Sequence, residues 1–145
     1  MKARTATIKR STKETQIQAV LNLDGKGDVQ VRTTIPFFDH MLTSMAKHAG
    51  FDLSLRARGD TNMDDHHTVE DVGLVLGAAL VKALGDKKGI QRFASAVVPM
   101  DRVRVQAALD ISGRPYLGFA VKFNPSKIKA FDLELLEDFF KAFTD

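Results

Sequence analysis

The chain has 145 residues, 44% of them hydrophobic and 27% charged, enough for one or two compact units with a buried core and too few for a large multidomain enzyme. Its 21 Lys and Arg against 18 Asp and Glu leave a net charge of +3, but the cations are interleaved with acids, so no basic patch suited to nucleic acid stands out. No apolar run is long enough to span a bilayer and no signal-peptide core follows Met1, so a soluble cytoplasmic protein with no membrane partner is expected, and the lack of cysteine restricts any metal to imidazole and carboxylate ligands.

Ala3 to Arg10 reads as a first strand, Thr15, Ile17, Ala19, Leu21 and Leu23 alternate as a second, and Val29 and Val31 form a third after the turn Asp24-Gly25-Lys26-Gly27. Pro36 suits the first turn of a helix in which Phe37, Phe38, Met41, Leu42, Met45, Ala46 and Ala49 recur at helical spacing, and Gly50 suits its end. His40 falls on the side opposite the stripe of Phe37, Met41 and Met45. Phe51, Leu53, Leu55 and Ala57 alternate as a fourth strand. After a polar loop from Gly59, Asp64 or Asp65 can cap a long helix from about His66 to Leu84, closed by Gly85, with Val69, Val72, Leu76, Ala79, Leu80 and Ala83 as its core stripe.

The order then begins again, with strands near Arg92 to Val98, Val103 to Ile111 and Tyr116 to Phe123 and a helix from about Asp132. Residues 1–90 thus read βββαβα, and residues 91–145 read βββα, the same unit without its last strand and helix. Aligning the repeats lays Phe38-Asp39-His40-Met41-Leu42 on Leu136-Glu137-Asp138-Phe139-Phe140 with the apolar positions in phase. The fold class is α+β, two similar α/β halves with the second incomplete. Phe131, Leu135, Leu136, Phe139, Phe140 and Phe143 crowd the last fifteen residues and call for a partner surface, either a missing part of the repeat or the existing core.

The stretch richest in chemistry is Asp64-Asp65-His66-His67-Thr68-Val69-Glu70. On a helix His66 and Glu70 share a face and can reach one ion, whereas His67, turned by about 100° from His66, serves a different one. The arrangement suggests two metals, each completed from elsewhere. The same residues also fit a capped, solvated helix start, and His40 and His48 alone read as surface residues.

Four blocks taken together resemble the consecutive signatures of imidazoleglycerol-phosphate dehydratase: Pro36-Phe37-Phe38-Asp39-His40-Met41-Leu42, Asp65-His66-His67-Thr68-Val69-Glu70-Asp71, Pro99-Met100-Asp101 and Asp110-Ile111-Ser112-Gly113-Arg114-Pro115. The resemblance implies sheets outside and helices packed between, similar to the second domain of ribosomal protein S5. It also implies a carbon–oxygen lyase of histidine biosynthesis that converts imidazoleglycerol phosphate to imidazole acetol phosphate with two Mn²⁺ ions, which would stabilise the substrate's imidazole as an imidazolate. Carried over by position, the metal ligands are His40, His66, His67 and Glu70, with Asp138 where some members have a histidine. His66 and Glu70 take one ion, and His67 with His40 the other. Glu14 matches a substrate-contacting acid and is the candidate proton acceptor, so the catalytic set is Glu14, His66 and Glu70. Arg92 and Arg114 match substrate-binding arginines, and Lys47 and His48 lie in a substrate-contacting helix. The implied partners are the phosphorylated imidazole substrate and further copies of the chain, in a trimer-based shell of 24 subunits.

Members of the family continue through another strand, a second HHxxE and a basic tail, so the expectation is a shortened member whose own site lacks half of each ion's ligands. The alternatives are an inactive assembly fragment that keeps only the oligomerisation surfaces, and a metal hydrolase, which would leave Glu14, Arg92 and Arg114 unused.

Overall fold

Alternation with a period of two sends Ile17, Ala19 and Leu21 to one face of a strand and Gln16, Gln18 and Val20 to the other, and Leu53, Leu55 and Ala57 do the same on a second strand. These strands, β2 (Thr15–Asn22) and β4 (Asp52–Gly59), pair antiparallel at the centre of a four-stranded sheet of order β1-β2-β4-β3, with β1 at Thr5–Ser11 and β3 at Val29–Arg32. The β3–β4 pair is parallel, so the chain must cross over between them, and it does so through α1 (Pro36–Ala49). Both ends of α1 follow the sequence: Pro36 stands in the first turn, and Gly50 takes the left-handed conformation at φ 70°. The computed structural model describes residues 3–145, in two units: the part up to Gly85 together with Tyr116–Asp145, and Asp86–Pro115. No helix among the described residues is long and apolar enough to cross a membrane.

The first unit packs α1 and α2 (His66–Leu84) on the apolar face of the sheet, and α3 (Leu135–Thr144) against α2. The buried stripe of α1 is Phe38, Leu42 and Ala46, one residue on from Phe37, Met41 and Met45, and Met45 is exposed. The aromatic residues at both positions 37 and 38 let the sequence fit either stripe, and the register is set by Phe38 meeting Phe131 and Phe139. On α2 burial extends beyond one stripe to Thr68, Asp71, Gly73, Val75 and Gly77, because the helix is covered by the sheet on one side and by α3 on another. Gly73 and Gly77 make that second contact possible: a Cβ would stand 2.6 Å from the Phe139 carbonyl oxygen at the first and 2.4 Å from that of Phe143 at the second. Phe131, Leu135 and Phe139 are buried in the existing core and Phe143 packs partly against it, while Phe140 stays 41% exposed.

Tyr116–Phe123 departs from the expected strand. Leu117, Phe119 and Phe123 are half-buried, but Val121 at the same phase is exposed, and the segment has no ladder partner among the described residues; alternation alone does not satisfy a backbone. It is held instead by side chains, with the Phe119 ring 6.2 Å from that of Phe140. Only a short pair, β7 (Lys127–Ile128) and β8 (Phe131–Asp132), precedes α3.

The second unit is an antiparallel ribbon, β5 (Phe93–Met100) and β6 (Val103–Asp110), closed by a turn at Asp101-Arg102 and exposed on both faces. At its open end Arg92 grips Asp110 with two bonds, Nε to Oδ1 at 2.6 Å and NH2 to Oδ2 at 3.1 Å.

Candidate metal centre and substrate recess

The start of α2 is held against the end of β4 by a close approach. A Cβ at Gly59 would lie 2.0 Å from Thr68 Oγ1, so only glycine lets the strand pass there. The next residue, Asp60, thereby reaches the helix, and its Oδ2 lies 3.1 Å from His67 Nδ1. Asp64 performs the capping that the sequence left open between two aspartates, its Oδ1 accepting the His66 N–H at 2.8 Å, while Asp65 makes no side-chain cap. Burial, aided by the charge of Asp64, raises the Asp65 carboxyl above its ordinary value.

His66 lies between two carboxylates: Nε2 is 3.5 Å from Glu70 Oε2, one turn on, and Nδ1 is 3.3 Å from Asp138 Oδ2 on α3. The docking of α3 through Gly73 and Gly77 is what brings Asp138 there. The rings of His66 and His67 meet edge to face at 5.8 Å, yet they engage different acids, Glu70 and Asp138 for His66 and Asp60 for His67. Each therefore presents Nδ1 to an acid from another element. The hydrogen bond with Asp60 raises the pKa of His67; burial opposes the rise, and the charge of Glu14 adds to it.

That charge reflects a shared recess of about 140 Å³ lined by Arg10, Thr12, Glu14, His67, Glu70, Asp71 and Leu74. Glu14 comes from the β1–β2 turn and the other acids from α2, so three residues singled out in the sequence, Glu14, His67 and Glu70, converge. His40, Lys47 and His48 are exposed on α1, and no hydrogen bond or ion pair joins His40 to His66, His67 or Glu70 among the described residues. Nor do three His, Asp or Glu side chains by themselves cage an ion among the described residues. Arg92 and Arg114 belong to the ribbon unit; Arg92 is engaged by Asp110 and covers the Phe93 ring at 4.9 Å, and the Arg114 N–H donates to Ser112 Oγ at 3.1 Å.

Three charged residues of the site, Asp60, Arg10 and Asp71, escaped the sequence reading. Asp60 is one acid in a polar loop and carries no periodic signal. Arg10 and Asp71 were detectable, because a carboxylate next to Val69 and Val72 in a helix's apolar stripe needs a partner, and Arg10 Nε supplies one at 2.7 Å.

The family model of imidazoleglycerol-phosphate dehydratase matches residues 33–145. Among curated relatives, the imidazoleglycerol-phosphate dehydratase of Citrifermentans bemidjiense is 54% identical over 143 residues, covering 99% of this chain and 73% of its own length. That of Gluconacetobacter diazotrophicus is 55% identical over 141 residues, covering 97% and 71%. Among solved structures, the Staphylococcus aureus dehydratase superposes with a TM-score of 0.85 at 35% identity, over 97% of this chain and 77% of that one.

Proposed function

The chain belongs to the imidazoleglycerol-phosphate dehydratase family, and on that premise we propose that it removes water from imidazoleglycerol phosphate in histidine biosynthesis, with the reaction seated at the start of α2. The observation that carries the location is the convergence of Glu14, His67 and Glu70 on one recess beside His66. The donor chemistry fits a divalent cation: with Nδ1 of His66 turned to Asp138 and Nδ1 of His67 turned to Asp60, each ring offers Nε2 as its ligating atom, and for His66 that atom already faces Glu70. In this reading His66 and Glu70 would hold one Mn²⁺ and His67 with His40 the other, with Asp138 a further candidate ligand beside His66, while Asp60 orients the His67 ring. The ions, when bound, supply Lewis-acid charge at the imidazole nitrogens of the substrate.

The protein's own part is to bind, orient and move protons. The reaction must take a proton from a weakly acidic carbon, and the exposed carboxylate of Glu14, on a turn above the recess, is the assigned acceptor. Arg92 and Arg114 are assigned to the phosphate, which suits a guanidinium fork, and Lys47 and His48 to weaker substrate contacts. Arg92 must trade Asp110 for the phosphate, so its binding energy is a difference between two charge-assisted pairs. Cytoplasmic homo-oligomers complete the reading. Val98 and Met100, with their cross-strand partners Val105 and Val103, are 60%, 73%, 57% and 59% exposed on one face of the ribbon, an apolar surface consistent with contacts between copies.

Calorimetric titration with Mn²⁺ tests the centre. Glu70→Gln is expected to weaken one ion more than the other, and His66→Ala with His67→Ala to abolish measurable binding. Unaltered affinity in the double variant removes the site from α2.

A further inference from the structure

Asp71 is 8% exposed and follows Glu70 on α2, yet it faces the sheet, where a carboxylate serves no packing purpose. One oxygen, Oδ1, accepts from Arg10 Nε at 2.7 Å, and the other, Oδ2, accepts from the Thr15 hydroxyl. The direction of the remaining bonds follows from counting protons. Thr15 has a single hydroxyl proton and gives it to Asp71, so in the 3.2 Å contact between Thr12 Oγ1 and Thr15 Oγ1 the donor is Thr12. Thr12 Oγ1 in turn accepts the N–H of Glu14 at 3.1 Å and that of Thr15 at 2.9 Å, which fills both its lone pairs. A continuous, fully satisfied chain of hydrogen bonds therefore runs from a buried carboxylate on α2 through two threonines to the backbone of Glu14. It spans the gap between the helix that carries His67 and Glu70 and the turn that carries Glu14.

We infer that Asp71 is a positioning residue for the reaction, fixing the β1–β2 turn through Thr15 and Thr12 so that the Glu14 carboxylate stands over the recess at a set distance from α2. The inference rests on the role assigned to Glu14 above. Its physical basis is that a turn residue is otherwise free to sample several conformers, and a displacement of about 1 Å at a reacting group costs about a hundredfold in rate. A purely structural clamp would need only the Arg10–Asp71 pair. The second oxygen and the two hydroxyls are spent on the turn.

Asp71→Ala would strand Arg10 and endanger the fold, so the informative variant is Thr15→Val, which keeps the shape and the Arg10–Asp71 pair but breaks the hydroxyl chain. Two quantities are read on the intact chain, amide hydrogen exchange and Mn²⁺-supported turnover, with Thr15→Ser and Glu14→Gln as companions. Thr15→Val is expected to speed exchange at Glu14 about five- to tenfold, the worth of one net hydrogen bond, without change at Leu55 in the sheet centre. It should lower kcat by about ten- to a hundredfold with KM within about twofold. Thr15→Ser restores both. Unchanged exchange at Glu14 in Thr15→Val overturns the inference, and decides alone where turnover is too slow to follow. So does a Thr15→Ser variant as impaired as Thr15→Val, or an unchanged kcat in Thr15→Val when Glu14→Gln loses activity. If Glu14→Gln itself keeps full turnover, the role of Glu14 falls and the inference falls with it, a result distinguishable from failure of the link alone.

Discussion

Replacing Gly77 by alanine sets two effects of known sign against each other. Alanine is the better helix former by about 0.8–1.0 kcal/mol, so on an exposed helix the change would stabilise. Here the new methyl carbon would stand 2.4 Å from the Phe143 carbonyl oxygen and 3.2 Å from its carbonyl carbon, whereas ordinary contact begins near 3.4 Å. The obstacle is helix backbone, which cannot rotate away, so α3 must retreat by about 1 Å. Overpacking of this kind costs about 1–3 kcal/mol, so after the propensity gain the net loss is up to about 2 kcal/mol. For a chain of this size that lowers Tm by up to about 8 °C. Urea and thermal unfolding measure it directly. The retreat also draws Asp138 from His66 Nδ1, now 3.3 Å away, so Mn²⁺ affinity should fall in parallel. Gly73→Ala added to Gly77→Ala should cost less than it does alone, because one retreat relieves both clashes. A Gly77→Ala protein more stable than the wild type by the full propensity gain of about 0.8–1.0 kcal/mol would refute the close contact of α2 with α3.

Asp60→Asn should bring the His67 titration, followed by ring NMR, back down toward the ordinary imidazole value, since the hydrogen bond to Asp60 is the chief cause of its rise. Because the folded pKa is raised, the stabilisation that this pair provides is full below about pH 6.5 and fades as pH rises through the folded value, so an unchanged midpoint would break the pairing. Asp52 has the opposite sign: the N–H groups of Lys26 and Asp28 hold its carboxyl below the ordinary range, so the advantage of the native chain over Asp52→Asn should persist above about pH 4 and vanish as pH falls through the lowered value. Acid unfolding that is identical in both would contradict this. Arg92→Ala and Arg114→Ala should each raise KM for the phosphorylated substrate by about ten- to a hundredfold, and unchanged kinetics in both would move the phosphate elsewhere.

Two helices were readable because their ends are punctuated: Pro36, Gly50 and Gly85 mark boundaries that hold to the residue, whereas α3, expected from about Asp132, begins at Leu135 because Phe131–Asp132 pairs in β8. Apolar runs in chain order gave the first sheet. Reading the inner stripe of α1 required knowing that Phe131 and Phe139 would come to meet Phe38, a contact remote in sequence. Tyr116–Phe123 misled for the converse reason: its pattern is that of a strand, but pairing depends on a neighbour that periodicity does not report. At the candidate site HHxxE was legible from its spacing, Glu14 and Asp138 only through the family resemblance, and helical geometry assigned His66 and His67 to different partners. Asp60 meets His67 through the approach of Gly59 to Thr68, and Asp138 meets His66 only because α3 docks on α2, both contacts through space that periodicity does not report.

The body that carries the candidate centre is written in the chain as two separate stretches, since the chain leaves it at Gly85 and re-enters at Tyr116. The excursion between them is an exposed ribbon whose turn at Asp101-Arg102 is open to trypsin. A nick after Arg102 would sever the covalent path from α2 to α3 and leave the packed surface between them untouched. The two pieces should then behave as complementing fragments, rejoined by the Gly73 and Gly77 contact and by the Phe38, Phe131 and Phe139 cluster. His66 lies in one piece and Asp138 in the other, so the return of that ion pair on mixing would report reassembly, and the same break offers a place where the chain could be circularly permuted without cutting through the body.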